Sequence, residues 1–320
     1  MRIYNYESID QYKIQELFSH FNNSIIVDSI TPISTGMSTS NYKVKTKKAT
    51  YLLKIYPNDN DHSEIEIAMY RRAEGNINIP RLLYCDNLKQ VYDKTYVILE
   101  FIESRNFKEY LIENHGEFED TVYRIGATLA LLHETKYEEP GILDENLNIK
   151  KVINPILVQC KVLLDQKAGQ YISDSCKEKL LSFLLRYDLA LQQIDRSNVL
   201  CHGDFNFNNI LIDERDNPWV IDFEYSFSNS KYYDIGKFFR GKSKSVQPFI
   251  NDEFINEFCD GYNSKTKKTL PSDWYVLSKI ADIPGMLSFI NRDNMPSEWT
   301  CEIEDEICNT INYVEDYYTK

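Results

Sequence analysis

The segment Cys201-His202-Gly203-Asp204-Phe205-Asn206-Phe207-Asn208-Asn209, with Ile221-Asp222-Phe223-Glu224 after it, holds residue types that could do chemistry together. Asn209 follows Asp204 by five positions, and Asp222 follows Asn209 by thirteen. Phosphoryl transfer needs a carboxylate beside the attacking hydroxyl and hard oxygen ligands for magnesium on the nucleotide phosphates. Asp204 suits the first need; the Asn209 amide and the Asp222 carboxylate suit the second. A lone Asp in a loop is more often a turn or cap residue, and His-Gly-Asp alone says little. The set is specific because an apolar strand and a hydrophobic-Asp-Phe triplet follow at the interval that kinase chemistry uses. His202 is expected to brace the loop.

The same chemistry asks for a strand lysine on the phosphates and a helix glutamate to hold it. Lys54 sits late in the apolar run Thr50–Tyr56, where a solvated lysine would be out of character. Glu66 on the next helix is the preferred partner, with Glu64 as its rival. Upstream, Ser34-Thr35-Gly36-Met37-Ser38 joins two strands. Gly36 permits a tight turn, and Ser38 with nearby backbone N–H groups could meet phosphate oxygens, a plain hairpin turn being the alternative.

The elements that must position these residues change character along the chain. Residues 25–56 alternate as adjacent antiparallel strands, 63–74 have helical spacing, and Tyr96–Ile102 is an apolar strand. Beyond 104 helices dominate, at 121–134, 156–166, 177–194 and 297–318, with short strands at 209–212 and 219–221. This predicts an α+β fold of two segregated lobes. Residues 1–103 form a small lobe with an antiparallel sheet plus a helix, a hinge lies near 99–103, and 104–320 form a larger, mainly helical lobe.

Composition narrows the function. The 320 residues carry 36 basic and 49 acidic side chains, a net charge of −13. That disfavours nucleic acid and anionic membranes as partners. There is no long apolar run and no apolar leader core. Seven scattered Cys without a CxxC pair argue against a disulfide framework and for a reducing cytoplasm. Residues 1–103 are nearly neutral, with 12 basic and 13 acidic groups, whereas 104–320 hold 24 basic and 36 acidic. The acidity serves solubility or a cationic ligand.

From about residue 25 to 240 the chain resembles the aminoglycoside phosphotransferase family, small-molecule kinases of the protein-kinase-like fold. Gly36-Met37-Ser38 is similar to that family's nucleotide loop, and Lys54 and Glu66 match its lysine–glutamate pair. Ile79-Pro80-Arg81-Leu82-Leu83, Leu129-Ala130-Leu131-Leu132-His133 and Tyr233-Asp234-Ile235-Gly236 match further elements, with Asp234 as a structural anchor. The resemblance implies that Glu100 (carbonyl) and Ile102 (N–H) contact the adenine. It also implies that ATP or GTP lies between the lobes, that Mg2+ is held by Asn209 and Asp222, and that Asp204 is the catalytic base. Two features depart from the pattern: Glu103-Ser104 stands where Glu-Gly often follows the hinge, and Phe223-Glu224 follows the second Asp instead of Phe-Gly.

The acceptor implied is a small, cationic hydroxyl compound, an aminoglycoside first. Asp282, Glu298 and Glu302 are candidate contacts, against a solvated helix face as the plainer explanation of the two glutamates. Choline, homoserine or a sugar are alternatives, and a nucleotide-binding pseudoenzyme is a third. The protein is expected to be cytoplasmic, as a monomer or homodimer.

Overall fold

A computed structural model describes residues 5–33, 38–58, 62–114, 118–240 and 246–319. It opens with α1 (Gln11–Phe21), capped by Asp10, which accepts from the Lys13 backbone N–H at 2.8 Å. Then come β1 (Val27–Ile33), β2 (Ser40–Thr46), β3 (Thr50–Ile55), α2 (Ser63–Ala73), β4 (Leu82–Asp86) and β5 (Tyr96–Glu100). The five strands make one antiparallel sheet in the order β1-β2-β3-β5-β4. Ile14, Leu17 and Phe18 of α1 share a buried core with Val44, Leu53, Ile55, Tyr96 and Ile98 of the strands. α1 precedes the strands expected from Ile25, and its apolar Ile14, Leu17 and Phe18 have helical spacing.

After β6 (Ser104–Asn106) helices take over: α3 (Phe107–Glu113), started by an Asn106/Glu109 capping box, and α4 (Glu119–Leu132). Next are β7 (Gly141–Leu143), β8 (Ile149–Val152), α5 (Ile156–Leu164), α6 (Ala168–Tyr171), α7 (Asp174–Arg186), α8 (Asp188–Asp195) and β9 (Asn198–Cys201). The single helix expected over 177–194 is two helices, because Tyr187 leaves helical geometry at φ −101°, ψ 32°. The chain continues through β10 (Ile210–Asp213), β11 (Pro218–Val220), β12 (Phe227–Ser230), α9 (Lys231–Phe239), α10 (Asp252–Ser264), α11 (Trp274–Ile290) and α12 (Ser297–Thr319). α11 runs through Pro284, a residue that ordinarily ends a helix. Burial on nearly every side of α11 holds it together across the missing hydrogen bond. Among the described residues no helix is long and apolar enough to cross a membrane.

The chain divides into two compact units, one of Met1–Arg105, Glu145–Leu147 and Leu211–Tyr225, the other of the remaining residues. The sequence reading kept 104–320 together, but Leu211–Tyr225 group with the first unit. The Val220 N–H donates to the Asn78 carbonyl at 2.9 Å, the Asn78 amide donates to the Pro218 carbonyl at 3.2 Å, and the Phe223 ring meets Tyr70 edge-on at 5.8 Å. The second unit has its own sheet, β8-β7-β12-β9, and α4 packs on α10 and α9 on α11. Gly236 permits the last contact, since a Cβ there would stand 2.1 Å from the Ser278 carbonyl oxygen.

Candidate active site

In the first unit the inner half of β3 is buried on both faces, so Lys54 leaves water together with Leu53 and Ile55. Its side chain is 5% exposed, and its Nζ lies 2.7 Å from both Glu66 Oε1 and Asp222 Oδ1. Burial alone would discharge the amine. Asp222 and Glu66 outweigh it and hold the Lys54 pKa well above its usual value. Glu66, fully buried on α2, also accepts hydrogen bonds from the hydroxyls of Tyr56 at 2.7 Å and Tyr70 at 3.1 Å. Those hydroxyls are held protonated by burial and by the carboxylate beside them. The rival Glu64 is exposed.

Asp222 adopts φ +70°, a strained conformation for a non-glycine residue. The turn is fixed on both sides: Phe223 is buried against Tyr70, and the Tyr225 ring meets that of His62 at 5.4 Å. The Asp222 side chain stays 37% exposed while holding Lys54, so part of the carboxylate is open to a ligand. Glu224 is a third acid at this place. Burial, with repulsion from Asp222, pushes it up to about 7 against the pull of Lys54. Its Oε2 is buried without a partner, and its carboxylate is hydrogen-bonded to Ser38. Ser38 is thus engaged with Glu224, whereas Gly36 lies outside the described residues. At the end of β5 the Glu100 N–H donates to the Arg81 carbonyl at 3.0 Å, and the Ile102 carbonyl accepts from the Ser104 hydroxyl at 3.0 Å. The Glu100 carbonyl and the Ile102 N–H, the two groups expected at the adenine, are the ones these bonds do not use.

In the second unit the two Phe residues of the His-Gly-Asp loop act as pins. Phe205 and Phe207 are buried, at 5.7 and 4.8 Å from the Phe238 ring, and Phe207 also meets Phe107 at 5.0 Å. Asp204, Asn206 and Asn209 alternate outward. The Asn209 amide nitrogen donates to the Asp204 backbone oxygen at 2.9 Å and to Oδ2 at 2.8 Å, and Asp204 Oδ1 lies 3.0 Å from Lys237 Nζ. These bonds use the Asn209 amide nitrogen and not its carbonyl oxygen. An amide oxygen and a part-exposed carboxylate are the hard donors that suit magnesium.

Behind the loop, Asp234 on α9 is fully buried and takes the His202 N–H at 2.7 Å and the Gly203 N–H at 3.0 Å. Gly203 can turn there because φ +82° costs glycine little. The buried His202 ring accepts the Asp204 N–H at 3.2 Å, so it braces the loop. His133 at the end of α4 lies 3.2 Å from Asp234 and 3.0 Å from the Tyr262 hydroxyl, and burial lowers its pKa despite Asp234. His133, Cys201 and Asp234 gather within 4.8 Å, but Asp234 is used by the loop and burial keeps the Cys201 thiol protonated, which makes the group a latch.

The acceptor candidates sit in different surroundings. Asp282 is 3% exposed and both its oxygens are taken by Arg240, with Nε–Oδ2 at 2.6 Å. Glu298 and Glu302 are exposed on α12. Lys237 and Arg240 were missed in the sequence. The signal for Lys237 was its position three residues after Asp234, on the same face of α9.

An antiparallel sheet with a helix glutamate on a buried strand lysine, followed by a helical part with a His-Gly-Asp loop, defines a kinase-like α+β fold. The chain belongs to the phosphotransferase enzyme family, whose pattern matches residues 29–270. Among solved structures, the aminoglycoside phosphotransferase APH(4)-Ia, a thermostable mutant with ADP and hygromycin B, superposes with a TM-score of 0.66 at 12% identity, covering 94% of this chain and 98% of that one. The spectinomycin phosphotransferase APH(9)-Ia, with ADP and spectinomycin, gives 0.58 at 15% identity, covering 97% and 99%. An uncharacterized protein of Metamycoplasma hominis is 25% identical over 249 residues, 76% of this chain and 43% of that protein. The chain therefore spans less than half the length of this curated relative.

Proposed function

We propose that the protein transfers the γ-phosphoryl group of ATP or GTP to a hydroxyl of a small molecule, an aminoglycoside in the first instance. The observation that carries this reading is the buried Lys54 ammonium held by Glu66 and Asp222. A charge kept in a low-dielectric place by two acids is suited to phosphate. Lys54 would neutralise phosphate oxygens, with the Glu100 carbonyl and Ile102 N–H meeting the base. Asn209 and Asp222 would hold Mg2+, which when bound offsets further phosphate charge. Asp204, steadied by Asn209 and Lys237, would orient the acceptor hydroxyl and take its proton as the phosphoryl group moves. The complexes of APH(4)-Ia and APH(9)-Ia with ADP and their antibiotics support a nucleotide and a small acceptor.

One observation favours a second acceptor class. The Asp282 carboxylate is already neutralised by Arg240, so a polyamine finds one carboxylate fewer. A sugar, homoserine or choline asks for less negative charge. Magnesium-dependent ADP or GDP release over a panel of aminoglycosides, spectinomycin, choline, homoserine and sugars tests both, with Asp204→Asn as the blank. A signal confined to one aminoglycoside class establishes the first reading, and a signal on a metabolite alone establishes the second. Turnover undiminished in Asp204→Asn sinks the assigned role.

A further inference from the structure

The second unit carries a cleft of about 650 Å3, within the size range of small-molecule sites. Its walls come from the loop after α4, the end of α8, the start of β9, the N-terminus of α9 and the segment before α11. The charged residues lining it are Lys136, Arg196, Lys231 and Lys268, and no carboxylate lines it. This runs against the chain around it, where residues 104–320 hold 36 acids against 24 bases. Asp204, Asn209 and Lys237 do not line it either.

Among the described residues none of the four cations forms an ion pair, although the Glu134 charge reaches Lys136. Lys136 Nζ donates to the His133 carbonyl at 2.7 Å, and Lys231 Nζ lies 5.2 Å from the Tyr232 ring centroid. Burial, with Lys136 and Lys268 nearby, pushes Lys231 down to about 8. Burial also lowers Lys136, with Glu134 opposing it. Asn198 lines the same cleft, and its side-chain oxygen is buried with no partner while its nitrogen donates to the carbonyls of Asp195 and Glu138. Converging cations match a ligand with phosphate charge.

We propose that this cleft binds a compact phosphate-bearing anion at Lys136, Arg196, Lys231 and Lys268. A long polyanion such as nucleic acid is disfavoured because the net charge of −13 repels it beyond the cleft. The inference stands apart from the phosphoryl-transfer reading and does not need it.

Calorimetric titration of the full chain with inorganic tripolyphosphate in EDTA tests it. Lys54→Ala serves as the background, which removes binding at the other lysine. Binding should persist in Lys54→Ala and weaken about tenfold in Lys268→Glu and again in Lys231→Met, each a lost charge-assisted contact. Lys268 is exposed, so its replacement leaves the fold intact, and a thermal melt checks this. No heat at millimolar tripolyphosphate would overturn the proposal. So would affinity unchanged in both cleft variants, binding that vanishes in Lys54→Ala, or tighter binding of a single-stranded oligonucleotide.

Discussion

Arg240, at the end of α9, grips Asp282 of α11 with two nitrogens, Nε on Oδ2 at 2.6 Å and Nη2 on Oδ1, and both side chains are almost sealed from water. Burial alone would lower the arginine pKa, but Asp282 raises it, so the guanidinium stays charged. A buried pair of this kind need not stabilise a fold, yet removing one member strands the other. Asp282→Asn should cost about 3–5 kcal/mol in denaturant unfolding. Replacing both, Arg240→Met with Asp282→Leu, should recover much of that loss. An Asp282→Asn protein with the wild-type midpoint would show that the pair carries no such weight.

Glu66 stands between Lys54 and two tyrosine hydroxyls, so its charge matters more than its shape. Glu66→Gln keeps an oxygen for Tyr56 and Tyr70 but leaves Lys54 with Asp222 alone. The lysine should then be drawn toward Asp222 and away from phosphate. Nucleotide affinity, read by calorimetry with ADP and magnesium, should fall about tenfold, as expected for one weakened charge-assisted contact. Equal affinity would mean that Asp222 suffices to position Lys54.

Asp204→Asn is nearly isosteric and leaves the backbone bond from Asn209 in place. Loss of a positioned base should cut kcat by roughly 10²–10⁴ while the nucleotide Kd stays within about twofold. A fall in nucleotide affinity equal to the fall in kcat would move Asp204 from proton transfer to nucleotide binding.

Local contacts are legible in this sequence, and distant pairings are not. Asp204 and Asn209 were legible as neighbours because a short loop fixes their spacing, and the Asn209 amide does reach the Asp204 carboxylate. Lys54 was legible because a lysine in an apolar strand is conspicuous, and the structure pairs it with Glu66 rather than Glu64. Asp282 was read as an acceptor contact because its partner, 42 residues earlier, leaves no local trace. The return of Leu211–Tyr225 to the first unit was illegible for the same reason: it rests on Asn78 and Tyr70, far away in sequence. Tyr187 broke a helix whose apolar spacing runs on through it.

Lys231 gives a pH dependence of definite sign. Its native value near 8 lies below the ordinary 10.5, because of burial and of Lys136 and Lys268, with Arg196 and the Tyr232 ring also at the cleft. Between those two values the unfolded chain binds more protons than the native one, so this group makes stability rise with pH across about 8 to 10.5. Below pH 8 its unfavourable contribution is fully present. Lys231 also opens α9, where a positive charge opposes the helix dipole. Lys231→Met should therefore melt higher than the wild type at pH 7, and the gap should close by pH 10. A lower Tm at pH 7 would show that the ammonium is favourably placed.

Gly236 tests how closely α9 and α11 must approach. An added Cβ would sit 2.1 Å from the Ser278 carbonyl oxygen and 2.9 Å from Asp282 Cβ. The nearer atom is backbone in the middle of α11, which cannot turn aside as a side-chain tip would. α9 also carries Asp234, which holds the His202 and Gly203 N–H groups, and Lys237, which holds Asp204. Gly236→Ala should cost about 1–3 kcal/mol, the usual range for overpacking, although alanine is the better helix former. Activity in the folded fraction should fall as well, since displacing α9 moves the loop that Asp234 anchors. A variant as stable as the wild type would mean that the two helices can separate without loss, and that the Asp234 anchor tolerates their movement.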